Sequence, residues 1–512
     1  MFTRAQITAL VCLGFTVVSC ATSPTSVDQA WSTVPEILSR IVPPTFPKRD
    51  FNLVEYGAKA GETNLCTAAF QQAIAACAQA GGGRVVVPAG VFRTGPIHLR
   101  SNVELHLSAG SELVFSDRFA DYLPPVLVRV GGVELYNYSP LIYARDCTNI
   151  AITGTGKLNG NAKAWWAWKS SETRAGFEMG AKGVPVEQRV FGTEAAAIRP
   201  SFVSFVSCTN VLMEGFTIGS GPNWTIHPIY CQNVTIRRVN VDTDGPNNDG
   251  IDPDSCRDVL IEDCTFSTGD DCVVLKSGYN EDGWRVNRPM ENLIMRNCSS
   301  KRGHGGLVVG SEMSGSVRNV FMYDCDFDGT DRAIRIKSRI DRGGVVEHIY
   351  ARDIRAKNMK REFVILNMDY GSDRNRPANA KPPVFRQMHF SNLQGDGAPV
   401  AIQITGLPDS PIQDIHFADM NLSATRGVVA SRVTGLRFNN VQVTPTKGPV
   451  FDFTNATQVA ITGTHAPAGT DIFLKLAGTD SHAIRIEDAS LSNAKRPFTT
   501  EAGVPAGAVQ LK

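Results

Sequence analysis

A short phrase recurs along this chain about every 25 residues, and that recurrence restricts the possible folds more than any other feature. It is a polar residue, commonly Asn or Asp, followed by an aliphatic–any–aliphatic strand. Copies begin at Asn149, Asn210, Asn233, Asp258, Asn292 and Asn319, and weaker ones at His348, Gln387, Asp414, Gly435, Gln458 and Ala483. From Asn210 onward the intervals are 23, 25, 34, 27, 29, 39, 27, 21, 23 and 25 residues. Helical repeats of similar length would show a 3.6-residue period. Here the apolar positions alternate, many are β-branched, and turns rich in Gly, Asn and Asp separate them. Short strands returning at a near-constant interval stack in parallel, one rung per copy. The expected fold class is therefore all-β: a right-handed parallel β-helix over residues 47–490.

The cysteines fit the same frame. Cys147, Cys208, Cys231 and Cys256 each lie two residues before the polar position, and Cys264, Cys298 and Cys325 each lie six after it. Equal offsets mean equal places on the rung, so these side chains are expected to form two ladders of packed thiols rather than disulfides. A solenoid also needs its end covered. Residues 67–79 carry Phe70, Ile74 and Cys77 on one helical face, and Gly81-Gly82-Gly83 ends that helix, which reads as an N-terminal helical cap. The 61-residue interval between Asn149 and Asn210 contains Trp165-Trp166-Ala167-Trp168 and reads as a long loop projecting from the coil. Residues 491–512 lack the repeat and read as a C-terminal tail.

The chain has 512 residues, 42% hydrophobic and 20% charged, with a formal net charge of +1. That balance is globular, and its lack of a basic field argues against nucleic acid. Residues 1–20 read as a lipoprotein-type signal peptide: Arg4, an apolar run from Ile7 to Val18 that is short for a membrane span, then Val17-Val18-Ser19-Cys20. Cys20 is the expected lipidation site, and residues 21–46, with several prolines, read as a tether. The mature protein is then exported: a periplasmic or outer-membrane-anchored lipoprotein touching the membrane only through that lipid, or a secreted one. It is expected to be a monomer.

The densest chemistry lies between 244 and 276. Asp249 precedes the pair Asp270-Asp271 by 21 and 22 residues, close to one rung, so the three carboxylates should sit above one another on one face. Carboxylates so placed raise one another's proton affinity, which leaves one protonated as an acid beside another ionised as a base. That is the requirement of glycoside hydrolysis. A calcium site or an Asp-rich turn is the competing reading, and Asp252 and Asp254 fit a turn. The next rung carries His304 between glycines. The rung after it carries Arg335-Ile336-Lys337, whose alternation sends both cations outward and Ile336 inward. Two such cations suit a carboxylate-bearing substrate.

The ordered set Asn247-Asn248-Asp249, Gly269-Asp270-Asp271, Gly303-His304-Gly305 and Arg335-Ile336-Lys337 resembles glycoside hydrolase family 28, the polygalacturonases. Asn248 departs from it, since Thr is common there, which bears on fine substrate preference. The resemblance implies inverting hydrolysis of α-1,4-galacturonide links in pectin or polygalacturonate, with no metal and no cofactor. It makes Asp270 the general acid, Asp249 and Asp271 the pair that activates water, and His304 the support of the acid. It makes Asn247, Arg335 and Lys337 substrate-binding, and more loosely Tyr370. Trp224 and His227, one rung earlier, are candidates for a wall without an assigned role. The text around Gly310–Gly315 looks most like bacterial exo-acting members, and segments 150–209, 279–290 and 371–383 are candidates for walls closing the cleft. Endo action or a decorated pectin such as rhamnogalacturonan are the nearer alternatives. A pectate lyase or a non-catalytic carbohydrate-binding β-helix are the more distant ones.

Overall fold

In the computed structural model, residues 27–168, 171–193, 198–371 and 379–512 are described. The expected signal peptide, Cys20 and the first residues of the tether lie outside them, as does most of 371–383. The chain is a right-handed parallel β-helix. The repeat copies stack in one register, Ile150 beside Val211, then Val234, Val259, Leu293, Val320, Ile349, Met388 and Ile415. These inward residues are essentially fully buried. Further along, Phe390, Phe417 and Phe438 stack in the interior with centroids 5.5 and 5.2 Å apart.

The polar residue that opens each copy meets two physical requirements. Its backbone is left-handed at every copy, with φ between 55° and 58° at Asn149, Asn210, Asn233, Asp258, Asn292 and Asn319. The weaker copies at His348, Gln387, Asp414, Gly435, Gln458 and Ala483 also have positive φ. Asn and Asp tolerate that conformation better than most residues. The side chains then bond rung to rung. Asn210 Nδ2 donates to Asn149 at 2.9 Å, Asn233 to Asn210 at 2.7 Å, Asn292 to Asp258 at 2.9 Å and Asn319 to Asn292 at 3.1 Å.

The thiol ladders form as expected. Cys147, Cys208, Cys231 and Cys256 stand in side-chain contact in that order, as do Cys264, Cys298 and Cys325. All are buried and free.

Helices occupy the ends and one flank. Two short ones, α1 (Val27–Trp31) and α2 (Val34–Arg40), lie where a tether was expected. This stretch docks instead of hanging free. The reason is an apolar column on the outside of the coil, Leu260, Ile294, Phe321 and Tyr350, which Ala30, Val34, Ile37 and Ile41 cover. Trp31 meets Phe321 edge-on at 5.3 Å, and Arg40 pairs with Asp258 at 3.1 Å. Helix α3 (Thr67–Gln79) caps the coil with Phe70, Ile74 and Cys77 buried, the face the sequence predicts.

The long insertion contains a turn over Ala162–Trp168 and helix α4 (Ser171–Ala181). It is fastened rather than loose: Trp165 is fully buried among Phe119, Tyr122, Tyr138 and Trp168. Phe177 of α4 stacks on Tyr279, just before α5 (Asn280–Val286), at 4.1 Å and 5°. Past 490 the coil goes on, with Arg496–Thr500 and Val509–Leu511 pairing in parallel onto Ile472–Ala477 and His482–Glu487. No helix among the described residues is long and apolar enough to cross a membrane.

Replacing Asn292 by Ala removes a ladder member bonded on both sides and places a Cβ-only residue at φ 57°. The expected loss is about 1–3 kcal/mol. Urea unfolding followed by tryptophan fluorescence checks it, and an unchanged midpoint would remove the ladder from the forces that hold the coil.

Candidate active site

One sheet of the coil carries the site. Its outward positions form columns because the register is fixed. His227 lies beside Asp252 and Val274, then Val308, Arg335 and Ile365. Two residues on, the outward column runs Ile229, Asp254 and Lys276, and it reaches Lys337 beyond Gly310. Three residues before the first column, at the mouths of the strands, stand Trp224, Asp249, Asp271 and Gly305.

All eight expected site residues line one open pocket of about 530 Å³: Asn247, Asp249, Asp270, Asp271, His304, Arg335, Lys337 and Tyr370. Asp270, Asp271 and His304 offer oxygen and nitrogen atoms within 4.8 Å of one another.

The cations serve the acids directly. Arg335 Nη1 is 2.9 Å from Asp271 Oδ1, and Lys337 Nζ is 2.7 Å from Oδ2. Arg335 reaches back across Gly305, where a Cβ would come within 2.5 Å of Val308 and 3.3 Å of the Arg335 Cβ. Ile336, between the cations, is buried in the core as alternation requires. Tyr370 is 38% exposed, and its ring centroid lies 5.4 Å from the Arg335 guanidinium and 5.2 Å from Lys337 Nζ. That is cation–π range.

These contacts push the proton affinities apart. Burial raises that of Asp271, but Lys337 and Arg335 outweigh it and hold the carboxyl well below the usual range. Asp249 goes the other way: burial first, then the charges of Asp270 and Asp252, push it well above the usual range. Asp252, beside it, is likewise pushed up by burial, and neither of its oxygens finds a hydrogen-bond partner among the described residues. The site thus holds a carboxylate locked in its charged form next to carboxyls that keep protons, the separation that acid–base chemistry needs.

Asp270 is held from three sides. Its Oδ1 accepts from the Asp271 backbone N–H at 3.0 Å and meets His304 Nδ1 at 2.8 Å. Among the described residues its Oδ2 has only a long contact of 3.4 Å from Asn247 Nδ2. Asn247 is oriented by a residue that the sequence motifs do not include. Arg199 donates to its Oδ1 at 2.9 Å and to the carbonyls of Pro222 and Pro246, which turns the Asn247 amide donor toward Asp270. Burial of this guanidinium pulls its pKa down to about 10. Arg199 lies outside any motif, so no local signal marks it.

Asn248, the departure from the family pattern, faces away from the pocket. It accepts from Gly245 N and Thr243 Oγ1 and donates to the carbonyls of Gly221 and Asn223, clamping two turns that position Asp249. Trp166 packs on the same turn and donates to Gly221 O at 3.1 Å. Trp224 does line the pocket, whereas His227 is buried behind it, 3.5 Å from Asp254. Asp254 pairs with the buried Arg129 at 2.7 Å. Lys276, Ser311 and Glu312 also line the pocket; Ser311 and Glu312 belong to the Gly310–Gly315 stretch that resembles exo-acting members, while Lys276 was given no role by sequence. Lys276 shares the column of Lys337, a signal usable only once the register is known.

The family model for glycosyl hydrolases family 28 matches residues 77–442, which include every one of these site residues. The chain belongs to glycosyl hydrolase family 28. It is a glycosidase by that membership. Among relatives, a probable polygalacturonase of Vitis vinifera is 29% identical over 411 residues, 77% of this chain and 79% of that protein. The exo-poly-alpha-D-galacturonosidase of Dickeya chrysanthemi is 28% identical over 432 residues, 76% and 70% of the two chains. Among solved structures, a hyperthermoactive exopolygalacturonase from Thermotoga maritima is 42% identical, with a TM-score of 0.74, over 77% of this chain and 91% of that one.

His304 Nδ1 lies in hydrogen-bond contact with Asp270 Oδ1, and that contact, opposed by burial, raises the imidazole above its ordinary pKa. The charged imidazole is present at low pH and is lost as pH rises through its raised pKa. His304→Gln removes that titrating group, and the high-pH limb of kcat/KM should move to lower pH. A pH profile on trigalacturonate checks this, and an unmoved limb would take His304 out of proton holding.

Proposed function

We propose that this family member is an exo-acting polygalacturonase that hydrolyses α-1,4-galacturonide links with inversion. The observation that carries the reading is the meeting, in one pocket, of three aspartates from adjacent rungs with the Arg335–Lys337 cations just beyond them. Asp270 protonates the leaving oxygen from Oδ2, replenished through His304. Asp271, ionised by its two cations, takes the proton of a water aligned with Asp249, and Asp249 orients that water through its own hydrogen bond. Two cations face one protein carboxylate here, which leaves room for a second, the galacturonate's own. Tyr370 backs these cations, and Asn247 steadies the acid.

Exo action is supported by the relatives' names and by the way the flank of the coil is built. The hairpin of Val126–Val130 and Val133–Asn137 is tied down by Arg129 to Asp254, and Arg189 to Asp282 at 2.8 Å joins it to α5. Inserts fastened by buried ion pairs are rigid, and rigid inserts standing at one end of the cleft would admit only a chain end. The exported, Cys20-anchored state is part of this proposal and rests on the N-terminal sequence alone.

Asp270→Asn keeps the volume and removes the proton. Activity on polygalacturonate should fall by about 10²–10⁴-fold or more, with comparable losses for Asp249→Asn and Asp271→Asn. The wild type should release short products from the first time point while viscosity falls slowly. Full activity in an aspartate variant would overturn the acid–base assignment, and a rapid early drop in viscosity would make the enzyme endo-acting.

A further inference from the structure

The acid–base reading gives no role to a second polar cluster in the same pocket, formed by Lys276, Ser311, Glu312 and Trp224. Glu312 is built to be an acceptor of fixed direction. Its backbone carbonyl takes the Ser277 N–H at 2.7 Å, which ties its loop to the neighbouring rung. Its Oε1 accepts from Ser311 Oγ at 2.8 Å and its Oε2 from Lys276 Nζ at 2.8 Å. Lys276 is itself held by Gly310 O at 3.2 Å and lies 4.6 Å from the centre of the Trp224 ring. Burial would favour the neutral acid, but Lys276 and Arg342 hold the Glu312 carboxyl below its usual range, so it stays ionised.

An ionised carboxylate whose one bonded cation, Lys276, is already matched repels a galacturonate carboxyl. What it attracts is hydroxyl protons, because O–H···O⁻ bonds are charge-assisted. Each oxygen has one bond made and one lone pair left, so the planar group presents two acceptors side by side, the spacing of a vicinal diol. Along the strands Asp271 comes first, Lys276 follows five residues on beside Gly310, and Glu312 lies two residues past Gly310, bonded to Lys276 at 2.8 Å. Lys276 therefore stands between Glu312 and the reacting carboxylates. A sugar cut at C1 beside those acids extends its opposite edge, the 3- and 4-hydroxyls, away from them. In a 1,4-linked chain only the non-reducing terminal residue has a free 4-hydroxyl; in every internal residue that oxygen is in a link and has no proton to donate.

We infer that Glu312, fixed by Lys276 and Ser311, is a specificity-determining residue that accepts hydrogen bonds from the free 3- and 4-hydroxyls of a terminal galacturonate and so selects chain ends. This rests on the exo-polygalacturonase reading above and adds to the walls a chemical reason for end selection. An internal residue placed there would leave a buried carboxylate facing an ether oxygen, an unmatched acceptor pair.

The test compares trigalacturonate with its analogue lacking the non-reducing terminal 4-hydroxyl, using wild type, Glu312→Gln and Glu312→Ala. Wild type should prefer the natural trimer by about a hundredfold or more in kcat/KM, since a site built around a hydroxyl rejects the analogue that lacks it. In both variants the natural trimer should lose most of that factor, while the deoxy trimer changes by less than about threefold, so the preference collapses. Equal use of the two trimers by the wild type overturns the inference without any variant being made. So does an equal loss on both trimers in the variants, which would reduce Glu312 to a partner of Lys276. Absence of cleavage of trigalacturonate by the wild type is a different failure: it sinks the proposed reaction, and this inference with it.

Discussion

A rung of this coil can bury its inward side chains only against the rungs on either side of it. That dependence, carried by parallel backbone hydrogen bonds, governs everything else. Strands in register sit about 4.8 Å apart, so residues one repeat apart in sequence become contacts in space. Every column is then a choice of what stacks on itself: aliphatics and Phe390, Phe417 and Phe438 inside, thiols at two corners, amides at another. The corner amides show how strict the rule is. A left-handed residue is needed where each copy begins, and Asn or Asp supplies both that conformation and a bond to the next rung.

The same stacking makes the chemistry. Like charges one rung apart repel, and a coil that stacks Asp249 on Asp271 beside Asp270 must resolve that repulsion. It does so unequally. Asp271 receives both long cations from two rungs on and remains charged, while Asp249 and Asp252, buried with few donors, keep protons. Gly305 and Val308 are small enough to let Arg335 lie back over them. Unequal proton affinity among neighbouring acids is thus a product of side-chain reach across a fixed ladder, and the proposed hydrolysis draws on it.

The inserts matter for a related reason. A bare coil face is a groove open at both ends. Trp165 in its aromatic cluster, Phe177 on Tyr279, and the buried pairs Arg129–Asp254 and Arg189–Asp282 fasten these excursions to the flank of the coil. Glu312 owes its defined direction to Lys276 and Ser311, and the proposed end selection would use that direction.

The repeat, the strand type, the thiol ladders, the cap face of α3 and the common face of the three aspartates were legible in the sequence, because each follows from axial register. Alternation likewise placed Ile336 inward and Arg335 and Lys337 outward. What the sequence could not decide was lateral. Arg199 on Asn247, both cations on Asp271, and Lys276 on Glu312 join residues across turns of unequal length, where no offset repeats from rung to rung. The docking of α1 and α2 was hidden for a similar reason: its partner is an outward apolar column, Leu260 to Tyr350, that exists only once the rungs are stacked. A one-dimensional repeat fixes neighbours along the axis by counting; neighbours across it are fixed by distance, and distance is a property of the folded coil alone.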